Sequence, residues 1–126
     1  MAVHSITTNR AAPPGGPYAH ATVAGNLVFL AGATPNLPDG SPVRGDFAEQ
    51  ATAAFNNLKI IAEEAGSSLD QALRVGVYLR DMANFDAMNE FFASYFSQTA
   101  PPVRTTICVA LPGFEIEVDA ILIKDE

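Results

Sequence analysis

Cysteine and basic residues are both scarce in this chain of 126 residues. Its single cysteine, Cys108, cannot form an intrachain disulfide or build a thiolate metal cluster, and we expect it to be a small buried hydrophobic residue. Seven Lys and Arg residues stand against fourteen Asp and Glu residues, which gives a net charge of −7. Because nucleic acids are bound through basic surfaces, this balance disfavours a nucleic-acid partner.

The chain also lacks the signatures of several large protein classes. No apolar run approaches the roughly 20 residues of a membrane span, and no basic-then-apolar leader begins the chain, so we expect a cytoplasmic protein without a membrane partner. There is no Gly-x-Ser-x-Gly elbow, no Gly-x-Gly-x-x-Gly turn and no phosphate loop. His4 and His20 have no acidic or thiol residues around them at metal-ligand spacing, and we expect both to be exposed on strands. We therefore expect neither a metal nor an organic cofactor.

What the chain does contain is the pattern of a single α+β domain spanning residues 1–126. Alternation and turn residues predict strands near 3–8, 20–24, 27–33, 73–79, 103–109 and 114–121, with Gly25 and Asn26 as a hairpin turn. Two helices between them complete the order β-ββ-α-β-α-ββ. This order favours a six-stranded mixed sheet with both helices on one face. Since nothing in so short a chain remains to cover the other face, we expect another subunit there.

Local signals mark both helices. Asp46 and Glu49 are spaced like a capping box at the start of the first. Apolar residues recur from Phe47 onward at spacings of three and four, and Gly66 stands where a left-handed cap ends a helix. Asn84 is the expected cap of the second helix. The residues that this second helix would turn inward are Phe85, Met88, Phe92 and Phe96.

Charged residues interrupt the two C-terminal strands. Alternation places Arg104, Thr106 and Cys108 on one face of the first strand, and the second strand carries carboxylates at 115, 117 and 119. A lone arginine within a strand is costly to bury unless a carboxylate meets it. That carboxylate is either internal, in a structural salt bridge, or part of a ligand, and the two strands alone leave both alternatives open.

A set of motifs in a particular order connects this arginine to a known family. The motifs are Gly16-Pro17-Tyr18, then Gly25-Asn26-Leu27-Val28-Phe29 with Ala31-Gly32, then Asn84-Phe85 with Asn89, then Pro102-Val103-Arg104, and finally Ile116-Glu117-Val118. With these motifs the chain resembles the RidA (YjgF-type) family of reactive-intermediate imine and enamine deaminases. The resemblance runs from about residue 3 to about residue 123, nearly the whole chain.

The resemblance implies a chorismate-mutase-like fold and a homotrimer with sites between its subunits. It also implies a hydrolase like 2-iminobutanoate/2-iminopropanoate deaminase, which converts small 2-imino or enamine acids to 2-oxo acids and ammonia without a cofactor. Arg104 would bind the substrate carboxylate, and Glu117 would position and activate the water. The other residues that match the family's substrate-binding positions are Tyr18, Gly32, Phe85, Asn89 and Thr106.

The chain departs from the family at two places, and these leave the natural substrate open. Family members commonly have Ser-Gly-Gln where this chain has Ala31-Gly32-Ala33, so a hydroxyl near the ligand is missing. The loop between the last two strands is also shorter than in many relatives. Three alternatives remain: a non-catalytic sensor of a carboxylate metabolite, a pathway-specific deaminase of the aminomuconate type, and the RNA cleavage or chaperoning reported of relatives.

If Arg104 and Glu117 act on the same substrate, the arrangement of the last two strands is restricted. If Pro112-Gly113 were the centre of a two-residue hairpin, Glu117 would lie opposite Cys108. Arg104 would then be about 13 Å further along at roughly 3.3 Å per residue, too far for one small substrate to join both side chains. Either the two strands are not neighbours, or another chain supplies one of the two groups. We predict the first, with Arg104 and Glu117 opening into one cleft between subunits.

Overall fold

In the computed structural model, residues 2–125 are described, and they form one six-stranded sheet with two α-helices. The strands are β1 (His4–Ile6), β2 (Ala21–Ala24), β3 (Leu27–Ala33), β4 (Ala72–Leu79), β5 (Val103–Cys108) and β6 (Ile116–Ile123), and the helices are α1 (Phe47–Glu64) and α2 (Phe85–Tyr95). Their order along the chain confirms the prediction from the sequence. No helix within these residues has the length and apolarity needed to cross a membrane.

The strand order across the sheet is β1-β2-β3-β6-β4-β5, and the sheet is mixed because β4 and β5 run parallel. β2 and β3 form the predicted hairpin, in which Gly25 adopts a φ of 60°. β4 lies between β5 and β6 and pairs with both. The prediction that the two C-terminal strands are not neighbours is therefore confirmed.

Helix α1 begins and ends where the sequence indicates. The Asp46 carboxylate accepts a hydrogen bond of 3.0 Å from the Glu49 backbone N–H, which satisfies one free donor of the first turn. Gly66 follows the last turn with a φ of 84°, a conformation that glycine adopts without a steric penalty. The apolar stripe of α1 packs against β3, β6 and α2, so both helices cover the same face of the sheet.

The start of α2 differs from the prediction. The Asn84 side chain makes no capping hydrogen bond. The cap lies three residues earlier, where the Asp81 carboxylate accepts a 2.9 Å hydrogen bond from the Ala83 backbone N–H. A short 3-10 turn (Met82–Asn84) separates this cap from α2. The capping side chain is therefore Asp81, before the 3-10 turn, and not Asn84, directly before α2.

Strand β4 contains the other local difference. Alternation predicts Leu73 as its first inward residue, but the pairing with β6 shifts register between Ala72 and Arg74. Ala72 is buried as a result, and Leu73 is 44% exposed. From Val75 onward the predicted alternation holds, and Val75, Val77 and Leu79 are fully buried.

The two faces of the sheet differ in how they are covered. The core lies between the sheet and the helices, and its largest fully buried side chains include Phe55, Leu58, Leu79, Ile116 and Leu122. We call the other side the open face. It leaves several large apolar side chains in solvent, among them Phe29 at 43% and Ile107 at 45% exposure. The expectation that two helices cover only one face is confirmed.

Candidate active site

Arg104 lies on the edge strand β5 with its side chain toward α2, because its register partner on β4 is the buried Val75. The guanidinium carbon stands 4.7 Å from the centre of the Phe92 ring and 5.6 Å from that of Phe85. Nη1 lies 3.7 Å from the Met88 sulfur. Aromatic rings attract a cation while leaving its hydrogen-bonding edge free, so α2 supports the guanidinium without neutralising it.

No internal carboxylate neutralises Arg104. Within residues 2–125 no acidic oxygen comes within 4.0 Å of its guanidinium. Two of the three carboxylates at 115, 117 and 119 pair with other arginines: Glu115 pairs with Arg80 at 3.4 Å, and Asp119 pairs with Arg74 at 3.6 Å. The salt-bridge alternative for Arg104 is therefore wrong in this structure. Burial lowers the pKa of the Arg104 guanidinium, which is the expected effect of moving a cation out of water without a counter-charge.

Glu117 lies on β6 opposite Tyr78, on the open face. Its carboxylate rests directly over Gly32 of β3, where any side chain would overlap Oε2. Burial raises the pKa of Glu117, and the negative charge of Asp119 on the same strand raises it further. A carboxyl group with a raised pKa is suited to accept and return a proton near neutral pH.

Gly32 belongs to an irregularity in β3. Leu30 pairs with Ala120 and Ala33 with Val118, so the two residues Ala31 and Gly32 stand opposite the single residue between those partners. Such a β-bulge redirects the side chains around it. Here it turns Gly32 toward Glu117 and returns Ala33 to the core, where it is buried. Ala31 and Gly32 therefore line the pocket beside the Glu117 carboxylate, with Gly32 directly under it.

Asp119 is the structural member of the acidic strand. One of its oxygens accepts a 3.1 Å hydrogen bond from the Gly76 backbone N–H, and the other accepts one of 2.9 Å from the Tyr78 hydroxyl. Burial raises the pKa of Tyr78, and so does its hydrogen bond to Asp119. The sequence left open which of three carboxylates is structural. With Glu115 and Asp119 in ion pairs, Glu117 is the one without a partner among the described residues.

Tyr18 lines the same pocket as Gly32 and Glu117, together with Ala19 and Ala31. The loop of prolines and glycines before it delivers the ring, as the sequence predicts. The Tyr18 hydroxyl accepts a hydrogen bond of 3.0 Å from Gly15, and the residue is 52% exposed. The structure thus brings together three of the predicted site residues on the open face.

The remaining predicted site residues, Thr106, Phe85 and Asn89, lie on β5 and α2. Thr106 lies two residues further along the same face of β5, and its hydroxyl is buried with no hydrogen-bond partner among residues 2–125. Phe85 contacts the guanidinium, and Asn89 follows one turn later on α2, half-buried. Buried hydroxyls usually have a partner, so Thr106 leaves hydrogen-bonding capacity unused beside Arg104.

The two groups lie on opposite faces of the sheet. Arg104 is in register with Val75 on the core side, whereas Glu117 is in register with Tyr78 on the open side. Because side chains alternate between faces along each strand, one chain cannot direct both groups at the same small molecule. Separating β5 from β6 is therefore not sufficient to bring Arg104 and Glu117 to one ligand. A cleft that contains both groups needs one of them from a second copy of the chain.

Two expectations about single residues are wrong. His20 is buried, at 4% exposure, and both of its ring nitrogens meet backbone groups. Cys108 is exposed rather than buried, because β5 is an edge strand that α2 covers only in part. Within residues 2–125, no three His, Cys, Asp or Glu side chains cluster in a way that could hold a metal ion.

One residue that the sequence analysis missed is Asn57 on α1, which is 6% exposed. It binds the loop before Tyr18 and the segment after Gly32. A signal was present in the sequence: position 57 lies three residues after Ala54 and four before Ile61, inside the apolar stripe. A polar residue at such a position has to find partners in the protein interior.

Comparison with known proteins identifies relatives over nearly the whole chain. The chain is 40% identical over 127 residues to a RutC family protein of Pyrococcus abyssi, which covers 99% of this chain and 100% of that protein. It is 37% identical over 121 residues to the mitochondrial protein MMF1 of Saccharomyces cerevisiae, covering 94% and 83%. A 2-iminobutanoate/2-iminopropanoate deaminase of Dermatophagoides farinae is 32% identical over 121 residues, covering 94% of each chain.

The fold has solved counterparts as well. RidA from the Antarctic bacterium Psychrobacter sp. PAMC 21119 superposes with a TM-score of 0.89 at 34% identity, covering 95% of this chain and 98% of the other. The family model described as Endoribonuclease L-PSP matches residues 8–124. This chain therefore belongs to the Endoribonuclease L-PSP family, which is the YjgF/RidA family that its motifs indicate.

Proposed function

We propose that the protein is a hydrolytic deaminase that converts small 2-imino or enamine acids into 2-oxo acids and ammonia. The observation that carries this proposal is the guanidinium of Arg104, which is partly buried against two aromatic rings without an internal counter-charge. A planar fork held in this way suits a carboxylate ligand bound through two parallel hydrogen bonds. The relative named 2-iminobutanoate/2-iminopropanoate deaminase supports the same class of substrate.

Arg104 fixes the substrate through its carboxylate and so orients the neighbouring imine carbon. Phe85 and Phe92 hold the guanidinium plane, and the free hydroxyl of Thr106 lies on the same face of the strand. Lysine would not replace this arginine, because a single ammonium group cannot form the paired hydrogen bonds.

Glu117 supplies the proton transfers. Its carboxylate takes a proton from water while the water oxygen bonds to the carbon of the protonated imine and the π electron pair of the C=N bond moves to nitrogen, which gives a neutral carbinolamine. Glu117 then returns this proton to nitrogen. The carbon–nitrogen bond breaks with its electron pair leaving on ammonia, and the hydroxyl proton passes to the Glu117 carboxylate as the C=O bond of the 2-oxo acid forms. Burial and the negative charge of Asp119 raise the pKa of Glu117 from its ordinary value, which makes its carboxylate a stronger proton acceptor.

Since Arg104 and Glu117 lie on opposite faces of one sheet, we propose that a complete site contains Arg104 of one copy and Glu117 of another. The open face offers apolar surface for such contact, through Leu27, Phe29 and Ile123, which are 36–43% exposed. Apolar patches of this kind are typical of subunit interfaces. The proposed assembly is the homotrimer implied by family resemblance, and light scattering that gives a monomer at micromolar concentration would contradict it.

Mixing two inactive variants tests the proposal. Arg104→Ala and Glu117→Gln are each expected to leave ammonia release at the rate measured without the protein, from imines generated in situ by an amino-acid oxidase. When the two are unfolded and refolded together in equal amounts, about a quarter of the sites should combine the intact arginine of one chain with the intact glutamate of another. Restored ammonia release near that fraction is the expected result. Each variant refolded alone is the control.

The outcomes separate the rival functions. If each variant and the mixture stay inactive while wild type is active, both groups act within one chain, and activity of either variant alone would show that the replaced group is dispensable. If wild type binds a 2-oxo acid and never releases ammonia, the protein is a sensor of carboxylate metabolites. Strong preference for an unsaturated aminomuconate-type substrate would identify a pathway-specific enzyme. The acidic composition gives no support to RNA cleavage. We further propose a cytoplasmic location, although the similar yeast protein MMF1 is named as mitochondrial.

A further inference from the structure

Asn57 is a buried amide on α1 that connects two segments distant in the sequence. Its Nδ2 donates hydrogen bonds to the carbonyl oxygens of Thr34, at 3.0 Å, and Asn36, at 2.8 Å. Its Oδ1 accepts a hydrogen bond of 3.2 Å from the backbone N–H of Ala12. Both donors of the amide and one acceptor site are used, so little of its polar capacity is left unsatisfied.

His20 binds Ala12 as well, through the carbonyl oxygen of that residue. The ring is buried, its Nε2 lies 2.7 Å from the carbonyl oxygen of Ala12, and its Nδ1 accepts a 3.1 Å hydrogen bond from the Thr8 backbone N–H. These partners require the neutral tautomer with the proton on Nε2. Ala12 therefore has its N–H held by Asn57 and its carbonyl held by His20.

The two connected segments are the ones that form the pocket beside Glu117. Ala12 begins the loop that leads to Tyr18, and Thr34 follows the bulge that contains Gly32. A cavity lies between the loop and the bulge, with Tyr18, Gly32 and Asn57 among its lining residues. The loop is anchored in the core at Ala11, and the Ala31 N–H donates a 2.9 Å hydrogen bond to the His20 carbonyl oxygen. Across the cavity itself, between Ala12 and Thr34, the connection is made by the hydrogen bonds of Asn57.

We propose that Asn57 is a positioning residue of the active site, which fixes Tyr18 relative to Gly32 and hence to Glu117. This inference rests on the proposed function for its catalytic consequence. The polar atoms of the Asn57 amide bind backbone groups of the two segments. It acts by setting the separation of two segments, and an error of about 1 Å in such a separation is enough to slow catalysis substantially.

The chain offers a matched control on the same helix. Gln50 is also a buried amide, at 8% exposure. Its Nε2 donates a 3.0 Å hydrogen bond to the Gly45 carbonyl oxygen, and its Oε1 accepts one of 2.8 Å from the Glu115 backbone N–H. Asn57→Asp and Gln50→Glu thus make the same chemical change in similar surroundings. Each removes donors to backbone carbonyls and keeps an acceptor, but only the first releases the segments beside Tyr18 and Gly32.

The experiment compares kcat and KM of both variants for imine hydrolysis with their unfolding in urea. We expect both variants to lose stability, and kcat/KM per folded molecule to fall by about tenfold or more only in Asn57→Asp. In a Tyr18→Ala background the further loss from Asn57→Asp should be smaller, since part of its effect passes through that side chain. Equal losses of kcat/KM in the two variants would overturn the proposal.

Amide hydrogen exchange supplies a readout that does not depend on catalysis. Asn57→Asp should speed exchange in residues 9–19 and 33–37, whereas Gln50→Glu should leave both segments at the wild-type rate. If Asn57→Asp does not fold, His20→Leu takes its place, because it releases the same loop at the carbonyl of Ala12. If wild type releases no ammonia, the proposed function fails, and unchanged exchange in these segments would by itself overturn the role of Asn57.

Discussion

Replacing Gly32 with alanine should displace the Glu117 carboxylate while changing the stability of the fold only slightly. A Cβ at position 32 would overlap Oε2 of Glu117 and would lie 3.0 Å from its Cδ and 3.3 Å from its Cγ. The glycines with positive φ are at 25, 40, 66 and 113, so alanine meets no backbone penalty at position 32. The whole steric cost therefore falls on the Glu117 side chain.

The size of the effect follows from this geometry. To restore a normal contact of about 3.5 Å, the carboxylate has to move by about 1 Å. A flexible side chain can do so by leaving its best rotamer, at a cost of about 0.5–1.5 kcal/mol in stability. A displacement of this size at a reacting group lowers kcat/KM by about 100-fold, which corresponds to about 2.7 kcal/mol of transition-state stabilisation.

The assay is ammonia release from imines formed in situ by an amino-acid oxidase, with urea unfolding measured in parallel. Gly15→Ala is the control for adding a methyl group near the pocket, because its Cβ would meet only the Tyr18 hydroxyl at an ordinary 3.5 Å. A second test uses Glu117→Asp, whose shorter side chain withdraws the carboxylate from position 32. In that background Gly32→Ala should cost much less than in the wild type. Wild-type activity in Gly32→Ala, or an equal loss in both backgrounds, would refute the reasoning.

Three further predictions concern the charged groups Arg104, Glu117 and Asp119. Arg104→Ala should abolish hydrolysis. It should lower the free energy of unfolding by only about 1 kcal/mol, because only the contact with the aromatic rings is lost, whereas breaking a buried ion pair would cost roughly 3–5 kcal/mol. Arg104→Lys should also be nearly inactive. The pKa of Glu117 is raised in the folded state, mainly by burial, so the native protein binds a proton more tightly than the unfolded chain does. Wild-type stability should therefore fall as pH rises from the ordinary glutamate pKa through the raised one, and Glu117→Gln should lack this fall in urea titrations. In kcat/KM profiles, Asp119→Asn should move the acidic limb to lower pH, because it removes the second cause of the raised pKa.

Where local physics decides the structure, the sequence was sufficient to predict it. The spacing of Asp46 and Glu49, the positive φ of Gly66 and the hairpin turn at Gly25 are all set within a few residues. Alternation on β5 also assigned Arg104 and Thr106 to one face correctly. The separation of the last two strands was predicted on the assumption that Arg104 and Glu117 of one chain meet the same substrate, and their positions on opposite faces show that this assumption is wrong although the strands are separate.

Features that depend on pairing between distant strands could not be predicted. The register shift that exposes Leu73 and the bulge at Gly32 arise from how β4 and β3 meet β6. The face on which Glu117 emerges relative to Arg104 depends on β4 lying between their strands. Likewise, His20 is buried because the loop beginning at Ala12 folds back over it, and neither residue signals this contact locally.

The opposite orientations of Arg104 and Glu117 restrict the symmetry of the proposed assembly. In a two-fold dimer each copy would have to offer both faces of its sheet to a single partner, which a flat layer cannot do. The contact is therefore heterologous: one surface of each copy meets a different surface of the next. Such contacts either continue into a filament or close into a ring. Only a closed ring pairs every Arg104 with a Glu117 of a neighbouring copy, because an open filament has an incomplete site at each end.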